Sequence, residues 1–307
     1  MSTEQTTEAL AVNDIAELTR GFELSLRARN RSPITVTSYV RTVGLFRDFL
    51  VRMGMPTEVD RINREHVESF IADQLERWKP KTAAVRYGDL LQFFKWAVGD
   101  GEIPISPMVN MDPPVVPEAP VPVVRDDDMT KLFKACEGKS FEERRDLAIL
   151  RVFFDCGLRL AELTHLQLAD IDWVAQEVTV LGKGRRPRSV TFGARTAQAL
   201  DRYLRTRRGH PLASSSALWL GPKGPLTDSG VAQMLRRRCK RAGIAQLHPH
   251  QLRHTAVHHN LAEGVTEGQA MRIFGWKSRQ MLNRYGAAAA DERARDARRR
   301  LSPGDRL

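Results

Sequence analysis

Prolines are concentrated in one central stretch of the chain. Seven of the 16 prolines lie within the 19 residues from Pro104 to Pro122. Proline lacks a backbone N–H and fixes φ, so such a stretch cannot form a helix or a central strand and favours an extended spacer. The sequence therefore predicts two folding units joined by a linker at 104–124, which suits 307 residues at roughly 150 per domain.

The first unit, predicted over 13–103, has the apolar spacing of short helices. Ser32 and Pro33 form a cap and first-turn signal, and apolar residues follow at helical spacing up to Leu50. These signals predict a small helical bundle. Residues 1–12 lack any periodicity, so we expect a flexible tail there.

The second unit, predicted over 125–290, alternates helices with one hairpin. Apolar and β-branched residues at 178–181 and 188–192 flank the turn residues 182–184. A helix is predicted over 231–242, capped by Asp228 or Ser229 and closed by Gly243. The expected fold class is mainly α, with a mixed α+β second unit that contains a small antiparallel sheet.

The overall charge points to a polyanionic partner. Lys and Arg number 48 against 37 Asp and Glu, which gives +11 and a pI near 10.0. No run of 18 apolar residues occurs, and the polar, acidic N-terminus is unlike a signal peptide, so nucleic acid is favoured over membrane and a cytoplasmic location is expected. Three widely spaced cysteines suggest neither a disulfide framework nor a zinc ribbon.

Basic residues form clusters in the second unit. A single charge run is most often a solvated face, but three clusters in one unit fit a surface that follows DNA phosphates. One cluster lies at 202–208, and the other two supply the predicted DNA-binding residues, which are Arg185, Arg186, Arg188, Arg236, Arg237, Arg238, Lys240 and Arg241.

Common catalytic motifs are absent from the sequence. It has no Walker loop, no G-x-S-x-G and no H-E-x-x-H. His250, His254 and His258 share one helical face, but the charge of Arg253 in the same turn would oppose a cation, so we expect no metal there. What remains is an ordered set of donors and one late tyrosine: Arg159 near Glu162, Lys183, His250, Arg253, Trp276 and Tyr285.

Each member of this set has an ordinary structural explanation when taken alone. Arg159 and Glu162 could form a helical ion pair. Lys183 could be an ordinary turn residue, His250 could be a residue at a helix start, and Trp276 could be part of a core. Tyr285 competes as a nucleophile with three other tyrosines, Tyr39, Tyr87 and Tyr203, which lie in predicted structural helices. The order and spacing of the whole set are what make it informative.

The set resembles the tyrosine recombinase (phage integrase) family. The likeness rests on G-L-R-x-x-E-L at 157–163, G-K-G and a basic run at 182–188, H-x-L-R-H-T at 250–255, and Phe274-Gly275-Trp276 with Tyr285 nine residues further on. It covers the whole second unit, and the first unit is similar to the family's core-binding (SAM-like) domain. Trp276 stands where histidine is usual; its indole N–H can donate a hydrogen bond but cannot titrate.

The resemblance implies a site-specific recombinase that cuts and rejoins DNA through a 3′-phosphotyrosyl intermediate, without metal, ATP or another cofactor. Arg159 and Arg253 would neutralise the transition state, since guanidinium forks suit phosphate oxygens. Tyrosine, with an ordinary pKa of about 10, needs a proton acceptor, and the leaving oxygen needs a donor. The implied catalytic residues are Arg159, Lys183 as general acid, His250 as proton acceptor, Arg253, Trp276 and the nucleophile Tyr285, with Glu162 orienting Arg159.

The resemblance also implies partners. They are double-stranded DNA with paired core sites and a homotetramer with a dimer on each site, with accessory host DNA-bending proteins as a further possibility. Residues 291–307 are expected to form a tail or helix that packs on a neighbouring protomer. Two alternatives stay open at this point: a type IB topoisomerase-like nicking enzyme and a non-catalytic DNA-binding regulator. The catalytic set does not separate an integrase, a transposon recombinase and a dimer resolvase.

Overall fold

The computed structural model describes residues 13–117, 122–182 and 187–276, together with residues 295, 298 and 299. The chain divides into two compact units, Met1–Glu118 and Ala119–Leu307. The described residues are mainly helical and add two small antiparallel sheets, which confirms the predicted fold class. None of the described helices is long and apolar enough to cross a bilayer.

The first unit is a helical bundle. Its described α-helices are α1 (Ile15–Ala28), α2 (Pro33–Arg52), α3 (Arg64–Arg77) and α4 (Pro80–Gly99), with a short 3-10 helix at Val59–Arg61. The predicted start of α2 is confirmed, because the Ser32 hydroxyl accepts a hydrogen bond from the Thr35 N–H and Pro33 occupies the first turn. Fully buried phenylalanines fill the core, where Phe46 meets Phe70 edge to face at 5.2 Å.

The first part of the predicted linker packs on this bundle. Met108 is buried in the core of the first unit, and the Tyr87 hydroxyl donates to the carbonyl of Met111. The described residues from 104 to 117 contain neither helix nor strand, as the prolines predict. Val124, at the other end of the proline-rich stretch, is buried in the core of the second unit.

The second unit surrounds its core with helices. Its described elements are α5 (Asp126–Lys134), α6 (Phe141–Cys156), α7 (Leu160–Thr164), β1 (Ile171–Asp172), β2 (Glu177–Leu181), β3 (Pro187–Thr191), α8 (Ala194–Arg207), β4 (Leu220–Gly221), β5 (Gly224–Pro225), α9 (Asp228–Ala242), α10 (Pro249–Ala262) and α11 (Glu267–Phe274). Helix α6 packs against α8 and α10, and α10 packs against α11. This order brings the ends of α6, α10 and α11 to one place.

The predicted hairpin forms from β2 and β3. Strands β1, β2 and β3 make an antiparallel sheet in that order, with Val180 opposite Arg188 and Leu181 opposite Pro187. Residues 182–186 connect the two strands, and β3 begins at Pro187, one residue before the predicted strand at 188–192. Residues 183–186 lie outside the described part of the chain.

Helix α9 begins earlier than predicted. Its cap is Thr227, whose hydroxyl accepts a hydrogen bond from the Gly230 N–H at 3.2 Å. Asp228, one of the two predicted caps, lies instead in the first turn and accepts a hydrogen bond from the Thr164 hydroxyl at 2.5 Å. Gly243 closes the helix in the left-handed conformation, as predicted. The predicted tails, 1–12 and 291–307, lie outside the described residues except for helical positions 295, 298 and 299.

Candidate active site

The junction between α6 and α7 positions Arg159. Helix α6 ends at Gly157, which has a φ of +54°, and a Cβ at this position would lie 2.5 Å from the Phe274 ring. Only glycine combines this backbone conformation with so close an approach. The chain then turns through the buried Leu158, and Arg159 becomes the N-terminal cap of α7.

Glu162 holds Arg159 through two hydrogen bonds. Its Oε2 accepts a hydrogen bond from the Arg159 backbone N–H, and its Oε1 accepts one from Arg159 Nη1, both at 2.8 Å. The other terminal nitrogen, Nη2, donates to the carbonyl of Gly275 at 3.3 Å. The Arg159 side chain remains 38% exposed.

Arg253 is held more deeply. It lies on α10, is 2% exposed, and donates to the carbonyl oxygens of Gly157 at 2.5 Å and Phe274 at 2.8 Å. Its guanidinium carbon also lies 5.8 Å from the Phe274 ring centre and 5.9 Å from that of Trp276. Arg159 and Arg253 therefore meet at the end of α11.

A third arginine joins them. Arg188 Nη1 and Nη2 donate to Glu162 Oε1 and Oε2 at 2.8 and 2.7 Å, and its Nε donates to the carbonyl of Ile273 at 3.0 Å. Its side chain is only 12% exposed. Arg188 is one of the predicted DNA-binding residues, but each of its three guanidinium nitrogens donates a hydrogen bond within the protein, so a contact with DNA would require it to leave Glu162 and the carbonyl of Ile273. Period-two alternation could have found this, since Arg188 shares a strand face with the buried Val190.

The end of α11 accepts hydrogen bonds from all three arginines. The carbonyls of Ile273, Phe274 and Gly275 accept, in order, from Arg188, Arg253 and Arg159. The last carbonyls of a helix lack partners within the helix and carry its partial negative charge, so cations are favoured there. Three consecutive backbone carbonyls thus fix the relative positions of three guanidinium groups.

Gly275 makes this arrangement possible. It has a φ of +65° and closes α11 with a hydrogen bond from the Trp276 N–H to the carbonyl of Met271 at 2.9 Å. A Cβ on Gly275 would lie 3.2 to 3.3 Å from the Arg188 guanidinium. Any side chain here would therefore press on Arg188 and strain the backbone as well.

Glu162 is ionised throughout the ordinary pH range. Burial opposes ionisation of this carboxyl, but hydrogen bonds from Arg188 and from the Arg159 backbone, with the charge of Arg188, outweigh burial and lower its pKa to about 2. The side chain is 6% exposed. Glu162 is thus a permanent anion shared by two arginines.

His250 and Trp276 lie beside this cluster. His250 is exposed on the first turn of α10, one turn before Arg253, and its ring meets that of His254 edge to face at 4.7 Å. Trp276 is 6% exposed and packs on Phe274 with ring centres 5.4 Å apart. No cluster of three side chains that could hold a metal ion occurs among the described residues.

Four predicted site residues lie outside the described residues. They are Lys183, Arg185, Arg186 and Tyr285. The structure therefore describes part of the predicted site, with Arg159, Glu162, Arg253 and Trp276 brought together and His250 on the same helix as Arg253.

The basic residues of α9 divide between surface and core. Arg236, Arg237, Lys240 and Arg241 are exposed, and Arg241 pairs with Glu143 at 3.1 Å. Arg238 is 7% exposed, its Nε donates to Asp146 Oδ2 at 2.8 Å, and its Nη2 lies 2.7 Å from the same oxygen in an ion pair. Arg238 is also one of the predicted DNA-binding residues, but it lies on the buried face of α9 with Val231, Met234 and Leu235 and would have to leave Asp146 to contact DNA. The helical spacing of that face is visible in the sequence.

Two family matches and several similar proteins cover this chain. Residues 122–292 match the Phage integrase family, and residues 20–101 match the Phage integrase, N-terminal SAM-like domain. The tyrosine recombinase XerC of Staphylococcus epidermidis is 30% identical over 262 residues, which cover 84% of this chain and 87% of that protein. The second match agrees with the SAM-like fold expected for the first unit.

Solved structures show the same fold. A XerH site-specific recombinase bound to palindromic difH substrate, in a post-cleavage complex, gives a TM-score of 0.74 at 16% identity and covers 92% of this chain and 84% of its own. A lambda integrase tetramer bound to a Holliday junction gives a TM-score of 0.67 at 15% identity and covers 86% of this chain and 78% of its own.

Proposed function

The chain belongs to the phage integrase family and is a tyrosine recombinase, an enzyme of site-specific DNA recombination, and from this premise we propose roles for its residues. Arg159 and Arg253 bind the nonbridging oxygens of one DNA phosphodiester while Tyr285 attacks its phosphorus. The observation that carries this proposal is the convergence of the two arginines on adjacent carbonyls at the end of α11.

The two guanidinium groups stabilise negative charge that grows during the attack. A planar guanidinium presents paired donors that match phosphate oxygens, and donors fixed in advance cost no reorganisation when the charge develops. Arg253 meets this condition, because two backbone carbonyls hold it in the protein interior. Arg159 is fixed by Glu162 but stays partly exposed, so it can contact a phosphate that arrives from solvent.

The remaining groups move protons. The bond from phosphorus to O5′ breaks as the bond from the Tyr285 oxygen to phosphorus forms. The phenolic proton passes to His250, which is exposed one turn before Arg253, and the departing O5′ takes a proton from Lys183. The Trp276 indole N–H donates to a nonbridging oxygen.

The second step reverses the first with a different strand. The free 5′-hydroxyl of the partner duplex attacks the phosphotyrosyl bond, so the energy of the broken linkage is conserved, and we propose that neither ATP nor another cofactor takes part. A tetramer with a dimer on each site would exchange strands in this way. The lambda integrase tetramer bound to a Holliday junction supports this assembly. Accessory DNA-bending proteins remain a prediction.

Exposed basic residues on α9 would bind the DNA backbone. Arg236, Arg237 and Lys240 are exposed, and each neutralised phosphate adds about −0.9 to the salt slope of binding to duplex DNA. Arg241 also lies at the surface and would have to leave Glu143 to join them. Action on DNA implies a cytoplasmic location.

Trapping of a covalent adduct tests the proposed chemistry. A pool of nicked duplexes with randomised flanks is incubated with the protein. Cleavage a few nucleotides to the 5′ side of the nick releases a short strand with a 5′-hydroxyl. Because this strand diffuses away and cannot religate, the phosphotyrosyl adduct accumulates, and it survives detergent. Sequencing the trapped DNA defines one duplex, called here the selected duplex. Tyr285→Phe should abolish the adduct on the selected duplex but retain binding to it. Tyr39→Phe, which replaces a half-buried tyrosine of the first unit, should still form the adduct. An adduct formed by Tyr285→Phe would refute the proposal.

A further inference from the structure

Arg188 lies on β3, whereas Arg159 caps α7 and Arg253 lies on α10. Arg188 extends from β3 to Glu162 on α7 and to the carbonyl of Ile273 at the end of α11. Its side chain is 12% exposed and each of its three guanidinium nitrogens donates within the protein, so binding a DNA phosphate would require breaking these contacts. Its location beside Arg159 therefore needs another explanation.

Arg188 and Arg159 share every oxygen of one carboxylate. Glu162 Oε1 accepts from Arg159 Nη1 and Arg188 Nη1, and Oε2 accepts from the Arg159 backbone N–H and Arg188 Nη2. Arg188 supplies two of these four hydrogen bonds in a bidentate pair, which fixes the plane of the carboxylate. The position of the Arg159 guanidinium depends on that plane, because its Nη1 bonds directly to Glu162.

The net charge of the three arginines and Glu162 is equal and opposite to that of the transition state. Glu162 cancels one positive charge, so Arg159, Arg188, Glu162 and Arg253 together carry two positive charges. A phosphodiester carries one negative charge, and the pentacoordinate transition state formed by a phenolate carries two. Without Arg188 the same group would carry one positive charge, because Glu162 would cancel that of Arg159.

We propose that Arg188 is a positioning residue for strand cleavage: it holds the Glu162 carboxylate so that Arg159 faces the phosphate, and it restores the positive charge that Glu162 removes. The proposal rests on the proposed function, in which Arg159 binds the phosphate. Arg188 itself does not touch DNA. A merely structural role would lower cleavage only through lost folding or binding.

A neutral phosphate tests the charge argument. A methylphosphonate at the scissile position of the selected duplex removes one negative charge from both substrate and transition state, so an enzyme that lacks one positive charge is less impaired on it. We expect Arg188→Gln to slow single-turnover cleavage of the normal phosphodiester about 100-fold, the effect of losing one preorganised charge contact, and to slow methylphosphonate cleavage only about threefold. Arg188→Lys, which keeps the charge without the fork, should lie between Arg188→Gln and the unaltered protein on the normal substrate.

A double variant distinguishes a charge effect from a loss of folding. Arg188→Gln combined with Glu162→Gln restores two positive charges, on Arg159 and Arg253, and should cleave the normal substrate faster than Arg188→Gln alone. Arg195→Gln, an exposed arginine in the first turn of α8, is the matched control and should cleave both substrates at the unaltered rate. Thermal melting and binding of the selected duplex verify that each variant is folded.

The outcomes separate this proposal from the function on which it rests. Equal losses for Arg188→Gln on both substrates, or a double variant no faster than the single one, would overturn the role of Arg188. Arg159→Ala is the reference variant, because it should recover on the methylphosphonate if Arg159 neutralises the phosphate. Failure of Arg159→Ala to recover would count against the proposed function itself.

Discussion

Arg253 on α10 donates a hydrogen bond to the carbonyl oxygen of Gly157, the residue at which α6 ends. This contact joins residues 96 positions apart and sets a buried guanidinium at the start of the segment that carries Arg159. The two arginines are therefore positioned by backbone, through helix ends, rather than by flexible side-chain partners alone. Substitutions at those helix ends should change catalysis without touching either arginine.

Gly157→Ala should be strongly destabilising. The new Cβ would lie 2.5 Å from the Phe274 ring and would occupy a left-handed conformation, so a steric clash adds to backbone strain. We expect a loss of about 3 kcal/mol in the free energy of unfolding, measured by urea denaturation. Gly243→Ala is the control, with a φ of +65° and no atom within 4 Å of the new Cβ, and should cost about 1 kcal/mol. Equal losses would show that the approach to Phe274 is unimportant.

Gly275→Ala should impair cleavage more than binding. Its Cβ would press on the Arg188 guanidinium at 3.2 to 3.3 Å and would disturb the carbonyl that holds Arg159. We expect single-turnover cleavage of the selected duplex to fall at least about tenfold, because a displaced charge contact weakens transition-state stabilisation. Affinity for the duplex should change less than threefold. A variant that cleaves normally would contradict the positioning role of the α11 terminus.

Glu162 should contribute stability that depends on pH. Its pKa falls from an ordinary 4.5 to about 2 on folding, so the contribution is fully present above pH 4.5 and is lost as pH falls towards 2. Glu162→Gln should therefore be less stable than the unaltered protein at pH 7, by on the order of 3 kcal/mol, and this difference should shrink by pH 3. Urea denaturation at both pH values measures it, with the exposed Glu137→Gln as control. A difference that stays constant with pH would refute the ionic role of Glu162.

Adjacent arginines on α9 should behave in opposite ways. Arg238→Ala removes a buried ion pair with Asp146 and a hydrogen bond to the carbonyl of Ala135. It should lower the free energy of unfolding by about 3 kcal/mol and leave the salt slope of DNA binding unchanged. Arg237→Ala should cost less than about 0.5 kcal/mol and lower the magnitude of the salt slope by about 1. Denaturation and binding titrations at several salt concentrations, below the melting temperature of both variants, measure these effects. A reversed pattern would contradict the assignment of faces on α9.

The sequence predicted most of the architecture through local signals. The cap at Ser32, the left-handed glycine at Gly243 and the paired strands of the hairpin follow from turn chemistry and periodicity, which act over a few residues. The cap of α9 was misplaced by one or two residues, because Thr227, Asp228 and Ser229 are all good caps and a contact with Thr164 on α7 draws Asp228 away.

The candidate site shows the same division. The Arg159 and Glu162 pair was predictable because the two residues are three positions apart on one short helix. Arg188 and Arg238 were assigned to DNA because composition records a charge but not its partner, and their partners, Glu162 and Asp146, are 26 and 92 positions away. Periodicity indicates that both side chains face the core, but only the tertiary fold reveals which carboxylates pair with them.

Mapping of the covalent link tests the role of Tyr285 as nucleophile most directly. The adduct trapped on the selected duplex is digested with protease and nuclease, and mass spectrometry locates the nucleotide on the peptide. We predict a single site, the phenolic oxygen of Tyr285 joined to a 3′-phosphate. The adduct should disappear in Tyr285→Phe and weaken sharply in Arg159→Ala and Arg253→Ala. A nucleotide attached to any other residue, or cleavage of the selected duplex without a covalent link, would contradict this role of Tyr285.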